Sequence, residues 1–417
     1  MGHYQKKDRS EERNGEELLL ELRLSREELV QMIKEGLHGM ALEIGVEVAT
    51  ALLDDEMERR CGAKGKRNEE RDAYRHGHQR GWIEMGGAKA SVRRPRARLV
   101  AGGEVGIDLY EQMQAGTREG VMRRLVRGVS CRNYRAVVDA IRRGYGVSAA
   151  SVSRSFVVAS EGRVRELAER RFDAVRFAAI FIDGVCFARE MLIAAVGVTE
   201  RGSKMILGVR QGATENARVC VDLLEDLRDR GIDTTARTLF ILDGSKALRS
   251  AVDRIWGDCA EVQRCQQHKL RNVASYVPDK HWPDICAAIR KAYAETNYKK
   301  AKRMLETTAR WLDQINPHAG ASLREGLDET LTVTRLGLSG RLRSTFATTN
   351  PVESLFSRVR TITSRVKRWR HGSMRLRWCI TAVLHAEQTF RAVNGCSEMP
   401  KLLAALGRHS VKLAAVA

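Results

Sequence analysis

The chain has 417 residues, 43% apolar and only 6% aromatic, enough for two or three domains with real cores. Its 72 Lys+Arg against 52 Asp+Glu give a net charge of +20, which points to a polyanionic partner such as DNA, RNA or an anionic surface. No apolar stretch reaches the ~18 residues of a membrane span, and the polar N-terminus does not resemble a signal peptide, so a soluble cytoplasmic protein with no membrane partner is expected. Its 9 cysteines are odd in number, scattered and without a CxxC pair, which fits reduced thiols.

Charge is spread unevenly: residues 1–60 hold 9 Lys+Arg against 15 Asp+Glu, whereas residues 61–155 hold 20 against 9. The second segment, not the first, is therefore expected to meet the polyanion. Residues 1–15 read as a polar, disordered lead. From Leu24 to Arg59 apolar residues recur at three-to-four spacing behind Ser25-x-x-Glu28, a capped helical region suited to dimerisation. Residues 67–100 change to a hairpin pattern, with Gly86-Gly87 as the turn and Arg93, Arg94, Arg96 and Arg98 along one exposed ribbon.

From about residue 117 helices return, and the stretch to Ser160 has the outline of a helix-turn-helix. Its first helix is expected over Tyr134–Arg143, its turn at Gly144-Tyr145-Gly146 and its second helix over Ser148–Val158. Small and hydroxylated residues at the start of the second helix (Ser148, Ala149, Ala150, Ser151), then Ser153 and Arg154, suit entry into a major groove. An ordinary helical hairpin is the alternative, and the local basic charge favours the DNA-reading one.

After residue 176 the chain becomes strand-rich. FAAIFIDG, MLIAAVGVTE and MILGVRQG read as three consecutive strands with turns at Gly184 and Gly202, and residues 214–231 as an amphipathic helix. RTLFILDG is a fourth strand, SKALRSAVDRIWG a helix capped by Ser245, and AEVQRC a fifth strand. Three meandering strands followed by alternating helix and strand match a ribonuclease H-like α/β arrangement. In that topology the strands ending in Asp183 and Asp243 lie side by side.

Residues 266–344 read as helix only. The expected plan is an acidic helical region at 1–60, a basic DNA-binding region at 61–160, a catalytic domain at 176–265 and 345–395 interrupted by the all-helical insertion 266–344, and a tail at 396–417.

A lone Asp-Gly is usually a turn, and a lone helical glutamate usually pairs with an arginine. Here Asp183 and Asp243 each end a buried-looking strand, and Glu353 follows in TTNPVESLFSRVR. From Ser354 to Ala386 come Arg358, Arg360, Arg365, Lys367, Arg368, Arg370, Arg375 and Arg377 with no acid, a phosphate track beside the three carboxylates. Together these features indicate a divalent-metal site that handles phosphodiesters. Two Mg2+ ions, with Mn2+ as a substitute, held about 3.5–4 Å apart can activate a nucleophile and stabilise the leaving oxygen of an in-line displacement. Cys265 and His268 have a spacing that zinc could use with Cys259, His281 or Cys286, although a supporting role is preferred. Trp369 and Trp378, among arginines, fit either core packing or stacking on DNA.

In combination these motifs resemble the mutator-type transposases of bacterial insertion sequences, a DDE transposase family, over roughly residues 15–395. Asp183, Gly197-Val198-Thr199 and the run Gly202-Ser203-Lys204-Met205-Ile206-Leu207-Gly208 match in order. So do Asp243-Gly244-Ser245-Lys246-Ala247-Leu248, the Cys-x-x-His pair Cys265 and His268, and Thr349-Asn350-Pro351-Val352-Glu353-Ser354. One departure is LGLSGRLRSTFA before the last motif, where the family often has an aromatic, proline-containing segment.

The resemblance implies metal-dependent DNA cleavage and strand transfer by Asp183, Asp243 and Glu353, with Cys265 and His268 ordering the approach to the acids. It implies recognition of terminal inverted repeats through residues 61–160, where Arg93, Arg94, Ser151, Ser153 and Arg154 are the candidate contacts. Arg358, Arg365, Lys367 and Arg368 would track phosphates. A homodimer or larger assembly on the element ends and target DNA follows, as do a prokaryotic, nucleoid-associated setting and a copying route through a joined-end circle. Trp311 reads as core, or as an aromatic that stacks on a displaced base at the element end. The alternatives are a catalytically silent DNA-binding protein of the same descent and a nuclease acting on RNA hybrids.

Overall fold

The computed structural model describes residues 25–27, 30, 37–66, 71, 73–85, 87–138, 147–212 and 217–407. The chain divides into two units, Met1–Ser160 and Glu161–Ala417.

In the first unit, helix α1 (Leu37–Cys61) buries Ala49, Leu53, Met57 and Cys61, one residue every four positions. That stripe faces the hairpin of β1 (Ala73–Met85) and β2 (Ala88–Leu99), where it meets Ile83, Ala90, Val92 and Ala97. Helix and hairpin thus share one core across residue 60. Met85 pairs with Ala88, and Gly87, just ahead of Ala88, takes φ +94°. Gly86 lies outside the described residues. A short strand β3 (Glu104–Val105) and helix α2 (Asp108–Val126) complete the core, with the Tyr110 hydroxyl accepting from the Trp82 backbone N–H at 3.0 Å.

Helix α3 (Tyr134–Val137) occupies the start of the expected ten-residue helix. Residues 139–146, including the expected Gly144-Tyr145-Gly146 turn, lie outside the described residues. Helix α4 (Ala149–Glu169) follows, and the Ser148 hydroxyl accepts from the Ser151 N–H at 3.3 Å in its first turn.

The second unit is built on a five-stranded sheet of β4 (Phe177–Phe187), β5 (Glu190–Thr199), β6 (Lys204–Gly212), β7 (Thr238–Leu242) and β8 (Ala260–Arg264), in the order β6-β5-β4-β7-β8. The first three strands are antiparallel, while β4, β7 and β8 run parallel. Helices α5 (Ala217–Asp229) and α6 (Lys246–Trp256) make the two parallel connections. Ser245 caps α6 as expected, its hydroxyl accepting from the Leu248 N–H.

Period-two alternation decides which face each side chain serves. Ile180, Ile182, Phe240 and Leu242 pack with Leu223, Leu227, Val252 and Trp256 of α5 and α6. Ala179, Phe181, Leu239 and Ile241 belong to the opposite core, with residues of the helices that follow residue 330.

One expectation changes. Gly184 is not the hairpin turn: β4 continues through it to Phe187, and the two-residue turn falls on Ala188 and Arg189, both with positive φ (49° and 67°). Arg375 holds this non-glycine turn, its Nε donating to the Ala188 carbonyl at 3.0 Å and its Nη1 bonding Glu190 at 3.1 Å.

After β8 the chain is helical through α7 (Gln266–Ala274), α8 (Trp282–Ala294), α9 (Tyr298–Ile315), α10 (Pro317–Arg324), α11 (Thr332–Arg335) and α12 (Gly340–Phe346). Helices α7 to α10 carry a separate apolar core that includes Val273, Ile285, Ile289, Leu305 and Leu323. Helices α13 (Asn350–Thr363) and α14 (Gly372–Glu387) then return to the sheet, burying Leu355, Phe356, Val359 and Val383 against it. A last helix, α15 (Met399–Ala405), adds Leu402 and Leu403 to the same core.

Candidate functional site

Ile182 pairs in parallel with Leu242, so the residues that follow, Asp183 and Asp243, stand at adjacent strand positions. Asp183 continues the odd-numbered face of β4, the side on which α13 packs, and is only 2% exposed. Glu353 lies in the first turn of α13, where the helix dipole favours a negative charge. An oxygen of Asp183, an oxygen of Glu353 and a ring nitrogen of His268 lie within 4.8 Å of one another. Among the described residues this is the group of acids, histidines and cysteines spaced to hold a cation.

Asp243 is not a member of that group. Its Oδ1 accepts from the Ser245 backbone N–H at 2.8 Å, closing the turn into α6. Its charge nevertheless reaches Asp183, whose carboxyl is raised to about 7. Burial is the main cause; Asp243 and Glu353 push the same way, while His268 and a hydrogen bond with Thr349 oppose. Desolvated, mutually repelling carboxylates of this kind fit a hard divalent cation, which takes oxygen ligands and relieves both terms.

Three chain segments are tied together behind the acids. The Cys265 backbone N–H donates to the Leu242 carbonyl at 2.7 Å, just ahead of Asp243. The Cys265 sulfur accepts from the Thr349 N–H at 3.4 Å, just ahead of Glu353, and the Gln266 N–H donates to the Ala347 carbonyl at 3.0 Å. The Thr349 hydroxyl also lies 3.4 Å from His268 Nδ1.

His268 is raised to about 9, first through its hydrogen bond with Cys265, against burial, with the charges of Cys265, Asp183 and Asp243 adding. The Cys265 thiol is lowered: burial would raise it, but hydrogen bonds with His268 and Thr349 outweigh that. Cys259, His281 and Cys286 form no cation-spaced group with Cys265 among the described residues. The zinc alternative therefore has no geometric support.

Two contributors escaped the sequence reading. Arg271 Nη1 donates to Glu353 Oε1 at 2.9 Å and lies 3.4 Å from His268 Nε2. The helical spacing His268-x-x-Arg271 was the available signal, since it puts both side chains on one face of α7. Thr349 belongs to the Thr-x-x-x-Glu motif, but spacing alone does not place it between Cys265 and His268.

The expected DNA contacts divide. Arg93, Ser153 and Arg154 are exposed, and Arg98 is exposed as well, whereas Ser151 Oγ turns back to the Ser148 carbonyl at 2.9 Å. Arg94 lies over the Tyr110 ring at 4.7 Å, and Arg96 pairs with Glu104 at 2.7 Å. Neighbouring strand residues face opposite sides, so the four arginines do not make one ribbon.

Beyond Glu353, Arg358, Arg365, Lys367 and Arg368 are exposed. Arg375 is committed to Glu190, which relieves part of the basic run. Trp378 is buried, and Trp369 packs edge-on to Phe187 at 5.2 Å. Trp311 on α9 is 37% exposed. No helix among the described residues is long and apolar enough to cross a membrane.

The sequence profile described as Transposase, Mutator family, matches residues 16–390. The chain is 30% identical over 308 residues to the transposase for insertion sequence element ISRM5 of Rhizobium meliloti (strain 1021), covering 69% of this chain and 73% of that one. It is 28% identical over 257 residues to the transposase for IS6120 of Mycolicibacterium smegmatis, covering 60% and 78%. It is 25% identical over 311 residues to the transposase for IS256 in transposon Tn4001 of Staphylococcus aureus, covering 71% and 76%. With a profile that spans nearly its whole length, the chain belongs to the Mutator family of insertion-sequence transposases.

Proposed function

We propose that the chain cuts and joins DNA at the ends of its own insertion sequence, using Asp183, Asp243 and Glu353 on a ribonuclease H-like sheet. The observation that carries this is the meeting of Asp183 and Glu353, remote in sequence, within 4.8 Å of each other and of His268. The sheet order β6-β5-β4-β7-β8, with the two aspartates at neighbouring ends of parallel strands, supports the ribonuclease H-like reading.

Asp183 and Glu353, with Asp243 from the adjacent strand, would hold Mg2+ or Mn2+. When bound, such cations supply the Lewis-acid polarisation that lets phosphodiester hydrolysis and transesterification proceed at neutral pH. The protein's own part is positional. Cys265 fixes the end of β7 against the start of α13, and Arg271 holds the Glu353 carboxylate. No serine, tyrosine or cysteine nucleophile is required. Arg93, Ser153 and Arg154 of the first unit would meet the terminal inverted repeats, and two ends processed together require a homodimer or larger assembly.

The test is strand cleavage of a plasmid that carries the element ends. Nicking at the element boundary, dependent on Mg2+ and abolished by chelation, is expected. End-specific binding with no cutting at any divalent-cation concentration would overturn the proposal in favour of the silent DNA-binding alternative.

A further inference from the structure

A face of α13 centred about 130° around the helix from Glu353 lines a cavity of about 750 Å³, within the size range of small-molecule and cofactor sites. Asn350, Ser354 and Arg358 reach it at i, i+4 and i+8, so they share one side of the helix, while Glu353 on the other side bonds Arg271. Lys204, Arg341 and Arg391 join Arg358 in the lining, and no Asp or Glu does. None of the four cations forms an ion pair with a carboxylate among the described residues.

The Lys204 ammonium stands 5.2 Å from the centre of the Phe390 ring, another wall of the cavity. Burial, then the charge of Arg358, lowers the Lys204 amine, as expected of cations gathered without a counter-ion. Thr348 adds a buried hydroxyl oxygen that has no hydrogen-bond partner among the described residues.

We infer that this cavity binds the sugar-phosphate backbone of a DNA strand beside the cut, with Lys204, Arg341, Arg358 and Arg391 on its phosphates and Phe390 against a sugar or base. The inference rests on the DNA-cutting reading above and extends it to a second contact point. A helix with its side chains is about 10 Å across, so α13 would separate the two points by about three nucleotides of a B-form strand at 3.4 Å each. Four phosphate-seeking cations with an aromatic ring between them suit a nucleotide chain better than a small free anion.

The test uses the full-length chain with Arg341→Ala and Arg391→Ala together, since both side chains are exposed and removing them leaves the core intact. A fluorescein-labelled single-stranded 20-mer of mixed sequence is titrated from about 50 to 300 mM salt without divalent cation, a range over which each lost phosphate contact lowers the log–log slope by about 0.7.

The double variant is expected to bind about tenfold more weakly and to lose about 1.4 of slope, with an unchanged thermal midpoint. A parallel variant, Arg303→Ala with Arg310→Ala on exposed positions of α9, should keep the wild-type slope. A wild-type slope in the first variant, or an equal loss in the second, overturns the inference. Because no cleavage is measured, a chain that cuts DNA but keeps its slope refutes the cavity alone. A chain that loses slope but never cuts refutes the cutting alone.

Discussion

Glu84, on β1, buries Oε2 without a hydrogen-bond partner among the described residues, while Arg124 stands 3.9 Å from Oε1. Burial, ahead of the opposing charges of Arg124 and Lys89, pushes its carboxyl up to about 7. The folded state therefore keeps a proton that the unfolded chain, titrating near 4.5, has already released. A folded-state value above the unfolded one makes this residue's contribution fall as pH rises from about 4.5 through about 7, and it stays low above that. Glu84→Gln should stabilise the protein by about 1–3 kcal/mol at pH 8 and change little at pH 4.5, as read from urea denaturation midpoints. A shift of equal size at both pH values would show that burial of the charge is not the cause. At this scale the sequence was a partial guide. The arginines of β2 were visible as charges, but Tyr110 beneath Arg94 and Glu104 beside Arg96 were not, because each pairing depends on how the hairpin packs against α2 and β3.

Elements bring the site together through alternation and through a few short bonds between segments. Strand period made Asp183 readable: with Ile180 and Ile182 on one face and Ala179 and Phe181 on the other, the acid had to lie on the side that α13 covers. Asp-Gly ordinarily marks a turn, whereas here the strand runs on through Gly184 and Arg375 supports the strained Ala188-Arg189 pair instead. Thr349 was legible as a motif letter only. Its hydroxyl, fully buried, lies 3.5 Å from the Cys265 sulfur and 3.4 Å from His268 Nδ1. Thr349→Val should cost about 1–2 kcal/mol in stability and lower the cleavage rate constant while leaving the dissociation constant for DNA near the parent value. Thr349→Ser, which restores the hydroxyl, should recover the rate. A parental rate in Thr349→Val, with the loss confined to Thr349→Ser, would mean that the methyl packing, not the hydroxyl, matters.

At the scale of the whole molecule, the charge of +20 and the order of elements were plain in the sequence, while the convergence of distant segments was not. Asp183 and Glu353 meet, the nitrogen of His268 completes the cation-spaced group, and Asp243 is turned to the Ser245 N–H. A spacing pattern cannot show this, since it depends on how α7 leaves β8 and on the capping needs of α6. The most direct test compares Asp183→Asn, Asp243→Asn and Glu353→Gln with the parent in one Mg2+-dependent cleavage assay on element-end DNA, with DNA binding measured alongside. Each variant is predicted to bind as the parent does and to cut at least about a thousandfold more slowly. Parental cutting by any one of the three, above all by Asp243→Asn, would contradict a centre built on three carboxylates.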